Sequence, residues 1–124
     1  MPPHVLYDVN LQQLPADFLE GPWQVVSRVL PRSGSAESPL SQATAVELAG
    51  TAVRVAAPDG AEPALGQWQM LLDPGINRPY LELHLPAGPA RALITRLRRS
   101  RDGEEGLLDL YFQSGLELQL HRIS

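Results

Sequence analysis

Tyr80 to Leu85 carries the clearest pattern in the chain: Leu81, Leu83 and Leu85 alternate with Tyr80, Glu82 and His84. That period of two belongs to a strand with one buried face. It recurs along the sequence. In Trp23 to Leu30, Trp23, Val25, Ser27 and Val29 share one face; residues 44–48 and 51–57 flank Ala49-Gly50. In Leu65 to Asp73, Trp68, Met70 and Leu72 oppose Gln67, Gln69 and Leu71. Arg91 to Arg99, Leu107 to Gln113 and Leu116 to Arg122 complete the series. About eight short strands at roughly 8–12-residue spacing predict an all-β fold, an antiparallel barrel or sandwich. Turn chemistry separates them at Pro58-Asp59-Gly60, Asp73-Pro74-Gly75, Pro86 to Pro89, Ser100 to Gly106 and Ser114-Gly115. Leu14 to Leu19 predicts one short helical turn, with Pro15 early, where its missing N–H costs little. Residues 1–13 read as an irregular N-terminal arm before a domain spanning 14–124. PRSGSAESPLSQ, residues 31–42, has no apolar period and reads as a loop, long for a hairpin.

Composition narrows this picture. A chain of 124 residues holds one domain with one modest core. Hydrophobic residues are 44% and charged residues 19%, ordinary for a globular protein. The 12 Pro and 10 Gly fall between the apolar runs and oppose long helices. A net charge of −4 argues against general affinity for nucleic acid or an anionic membrane. All ten positive side chains are Arg, which with abundant Ala, Pro, Gly and Leu points to a GC-rich genome. Without Cys there is no disulfide, thiol nucleophile or thiolate metal site. MPPHVLYDVNLQQ lacks the basic and apolar regions of a signal peptide, and no apolar run is long enough to span a membrane as a helix. The expectation is a cytoplasmic protein.

Two stretches resemble a known family. FLEGPWQVVS resembles the G-x-W signature of lipocalin-like (calycin) barrels, with Gly21 and Trp23 in the motif positions. GQWQMLLDPGINRPYLELHL is similar to small bacterial lipocalin-like domains of the planctomycete type, through Gly66, Trp68, Asp73-Pro74, Pro79, Leu81 and Leu83. The resemblance spans residues 14–123. It implies a small antiparallel barrel of about eight strands, partly open or closed, that holds a ligand in its cup. It also implies an Arg near the end of the last strand, stacked on the first-strand Trp. Arg122 matches by position, so Gly21, Trp23 and Arg122 are the expected closure of the barrel floor. The functional end is then opposite, near residues 31–43, 58–64 and 86–90.

Three candidate sites follow. Trp68, Met70 and Leu72 share a face and could line an apolar pocket with Leu83 and Tyr111 or Phe112 across from them; a filled core is the plainer alternative. ARALITRLRRSRDGEEG holds Arg91, Arg96, Arg98, Arg99 and Arg101, then Asp102, Glu104 and Glu105. Such a hairpin can grip an acidic surface through bidentate forks, or simply be a solvated face balanced by charge pairs. No aromatic residue interleaves, so base stacking is unsupported. Val5, Leu6 and Tyr7 are apolar residues of the arm that need burial somewhere. His4, His84 and His121 have no metal-ligand spacing, no catalytic motif is present, and no cofactor is implied. Two readings stay open: a non-catalytic lipocalin-like protein binding a small apolar ligand or a partner, and an assembly factor docking on a larger complex through its loops, Arg hairpin and arm.

Overall fold

A computed structural model describes residues 5–30, 39–58, 62–75, 77–86 and 88–123. The loop expected at 31–42 therefore lies outside the described residues up to 38, as do most of the Pro58-Asp59-Gly60 turn, Ala87 and His4. Among the described residues nine strands run in chain order: β1 (Leu6–Asp8), β2 (Gly21–Val29), β3 (Ala45–Ala49), β4 (Ala52–Ala56), β5 (Ala64–Asp73), β6 (Arg78–Leu85), β7 (Gly88–Ser100), β8 (Glu105–Phe112) and β9 (Glu117–Ile123). Short 3-10 turns occupy Leu11–Gln13, Ala16–Leu19 and Pro39–Gln42. The second is the predicted helical turn, entered from Pro15.

Strands β2 to β9 pair with their chain neighbours, all antiparallel, and β2 pairs with β9 to close an eight-stranded barrel. Closure removes the ring's free edges, which would otherwise template association. Bulges at Val25/Ser27 in β2 and Ile94/Arg96 in β7 add the local twist that bends the sheet round. Gly66 marks a close backbone approach. A Cβ there would lie 2.0 Å from His84 O, so only glycine lets β5 pass β6 at that point.

Alternation decides what fills the barrel. Leu81, Leu83 and Leu85 of β6 are buried, as are Leu108, Leu110 and Phe112 of β8 and Leu118 and Leu120 of β9. Val46, Leu48, Val53 and Val55 line the opposite wall. Below them sit Leu14, Leu19 and Trp23; at the other end Leu40, Ala43 and Leu116 are buried. The core therefore reaches both ends of the ring.

The arm departs from the expected irregularity. Residues Leu6–Asp8 form β1, which stands outside the ring. At 13 residues β7 outruns β6: its first half pairs with β6, and its end pairs with β1 through Leu6↔Ser100, Tyr7↔Arg99 and Asp8↔Arg98. The overhang of β7 offers an unpaired edge, and the arm fills it.

Candidate docking surface, barrel floor and outer wall

The floor is built from the short turn Ala16–Leu19. Its end points carbonyls inward, and the indole Nε1 of Trp23 donates to Leu19 O at 2.8 Å. The Arg122 guanidinium lies 4.5 Å from the Trp23 ring centroid, and its Nη1 donates to Phe18 O at 3.3 Å and to Glu20 O. Arg99 stacks on the Phe18 ring at 3.7 Å, extending the floor by one more cation–aromatic pair. Burial, and then the charge of Arg99, lower the pKa of Arg122 from the ordinary arginine value. These contacts make Gly21, Trp23 and Arg122 one packed unit.

The five residues singled out for a pocket are divided by the structure. Trp68 and Leu83 are register partners and both are buried. Met70 is half-buried. Leu72, on the same face, is 51% exposed, because β5 runs on past its pairing with β4, which ends at Ala52↔Gln67, and loses its cover. Tyr111 faces outward and is 48% exposed; Phe112 takes the inward position beside it. These five side chains therefore do not line one cavity. One feature of the bore is polar: Trp68 Nε1 is buried without an acceptor among the described residues.

On the outer wall Tyr80, Leu93 and Tyr111 lie side by side across β6, β7 and β8. With Asp73, Arg91 and Gln113 they line a cleft of about 200 Å³. At the mouth, Leu40, Ala90, Phe112 and Leu116 contribute to a depression of about 180 Å³.

The Arg residues also separate by role. Arg91 stacks on Tyr80 at 4.7 Å and donates to Glu82 Oε2 at 3.1 Å. Glu82 further accepts from Gln69 at 3.0 Å and contacts His84 Nε2 at 2.9 Å; those hydrogen bonds, Arg91 first, hold its carboxyl below the usual value. Arg96 grips Asp8 with a fork, Nε to Oδ1 at 2.7 Å and Nη2 to Oδ2 at 3.3 Å. That contact lowers the Asp8 pKa and raises that of Arg96. Arg99 belongs to the floor. Arg98 and Arg101 remain, and neither has a carboxylate within ion-pair distance among the described residues. Arg101 reaches over Tyr7, 5.8 Å from its ring centroid and 3.5 Å from its hydroxyl. Arg98 lies opposite Asp8 with its Nε buried and without a hydrogen-bond partner among the described residues.

Val5, Leu6 and Tyr7 thus sit on the Arg-bearing strand. Leu6 is half-buried, while Val5 and Tyr7 stay largely exposed. With Ser100, Arg101 and Asp102, Val5 and Tyr7 line a groove of about 390 Å³. The sequence reading treated arm and hairpin as two features. The signal on offer was Asp8 after three apolar residues, an acid available to an Arg-rich strand far along the chain.

His84 pairs with Glu82, and His121 with Glu105 at 2.9 Å. Among the described residues no three His, Asp or Glu side chains converge on a point that could hold a metal ion. No helix among them is long and apolar enough to cross a membrane. Comparison of the chain with protein-family models, with curated proteins and with solved structures finds no match.

Proposed function

We propose that the chain is a non-catalytic binding module of the bacterial cytoplasm. In this reading a lipocalin-like barrel serves as a rigid scaffold and docks a protein partner through its N-terminal strand and Arg hairpin. One observation carries the proposal: β1 lies along the end of β7, so Val5 and Tyr7 join Arg101 around a groove of about 390 Å³, with Leu6 and Arg98 on the other face of the same strand pair. Exposed aromatic and Arg side chains at a concavity are the composition of protein contact sites. The lipocalin-like assignment rests on the Gly21/Trp23 motif and the stacked Arg122.

Trp68 favours a second reading, a small apolar ligand in the bore. Its buried indole N–H has no acceptor among the described residues, and a ligand carbonyl or hydroxyl would supply one.

A photo-crosslinker in place of Tyr7, with Glu47 on the far wall as control, tests the first reading in the native cell. A protein adduct from position 7 and none from position 47 is expected. Absence of an adduct at 7, with native mass spectrometry showing a small molecule that Trp68→Phe releases, would overturn docking in favour of the cup.

A further inference from the structure

β1 has a neighbour on one side only among the described residues, whereas every strand of the ring has two. Val9 N–H donates to Leu97 O at 2.9 Å. Backbone groups of an antiparallel strand alternate in direction, so those of Tyr7 also face β7. Those of Leu6 and Asp8 face the other way. Two N–H groups and two carbonyls therefore stand along an open edge.

Charge selects what can pair there. Asp8 is taken by the Arg96 fork, so the strand's one acid is already neutralised. Arg101 projects on the Tyr7 side of the edge and Arg98 on the Asp8 side, neither with a carboxylate within ion-pair distance among the described residues. A strand laid along β1 would thus meet a cation on each of its faces. It would also meet Val5 and Tyr7 in the adjoining groove.

We infer that the free edge of β1 receives an extended acidic segment of the partner protein as an added strand, with Arg98 and Arg101 pairing its carboxylates. This inference rests on the docking reading and specifies the form of the contact. Main-chain bonds supply attachment in this mode, and alternate side chains supply specificity. The edge is only three residues long, which suits a reversible contact and limits indiscriminate pairing.

The test uses the full chain and two synthetic peptides, Ac-EVEVTVE-NH2 and its Lys counterpart Ac-KVKVTVK-NH2, followed by amide NMR shifts. The acidic peptide is expected to shift the Leu6 and Asp8 amides and to bind at least ten-fold tighter than the basic one. Leu6→Pro deletes an outward N–H while leaving the bonds of Tyr7 and Val9 to β7, and should abolish binding. The charge reversal Arg98→Glu with Arg101→Glu leaves the backbone untouched and should invert the preference between the peptides. Equal binding of both peptides, binding that survives Leu6→Pro, or no shift at millimolar peptide would each overturn strand addition. So would a chain-to-chain adduct from position 7 with dimers by sedimentation, which would assign the edge to a second copy. A crosslink from position 7 to a different protein, with neither peptide bound, would leave docking standing and remove only this inference.

Discussion

A methyl group at position 21 would stand 3.1 Å from Arg122 Nη1 and 3.2 Å from its Cδ, and φ at Gly21 is +130°. Both facts demand glycine there: the first for room under the guanidinium, the second because an L side chain strains that backbone region. Gly21→Ala should therefore cost about 1–3 kcal/mol, read as a lower urea midpoint with an unchanged m-value. An unchanged midpoint would mean that the floor relaxes freely around Arg122. The indole and guanidinium above it act as a pair. In a double-mutant cycle, Trp23→Leu and Arg122→Met should couple by about 0.5–2 kcal/mol, since either change alone removes the stack. Additive losses would show that the two residues close the barrel independently.

At the scale of elements, β1 is the least secure strand and its tether is a carboxylate. Hydrogen bonds from Arg96 place the folded pKa of Asp8 below its ordinary 3.8. Stabilisation from that fork is therefore complete above about pH 4 and fades as pH falls through the lower folded value. Protection of the Tyr7 and Val9 amides, which face β7, should fall in acid relative to their intrinsic exchange while β6 and β8 remain protected. In Asp8→Asn the exchange should be fast at neutral pH already and respond little to acid. Protection of β1 that does not change with pH would assign its docking to Leu6 instead of the ion pair. This element also marks the limit of what the sequence reveals. Tyr80 to Leu85 was readable because six alternating positions see two different environments. Leu6 to Asp8 supplies three positions, and its partner strand lies some 90 residues away, so no local pattern announces the pairing. The Trp68 face was readable and its cover was not: Leu72 keeps the parity of Trp68 but outruns β4. The sequence leaves Tyr111 and Phe112 as alternatives; Phe112 is buried, and Tyr111 shares the outer face with Asp109.

For the whole molecule the seam matters more than the appendage. The ring closes between β2 and β9, and β9 brings Leu118, Leu120 and Arg122 into the core. β1 contributes no strand to that ring. Removing residues 1–9 should leave a closed barrel that still unfolds cooperatively. A loss of about 1–2 kcal/mol would lower Tm by roughly 4–8 °C in a chain of this size. Removing residues 116–124 should do something different in kind. It opens the facing edges of β2 and β8, strips the floor of Arg122 and exposes Leu108 and Leu110. Exposed edges beside apolar surface favour association over refolding. The expected product aggregates and lacks a cooperative transition in calorimetry. If the two truncations instead lowered Tm equally, β1 would be a strand of the fold in the same sense as β9. The docking surface would then be part of the barrel's own stability and could not yield to a partner without loosening it.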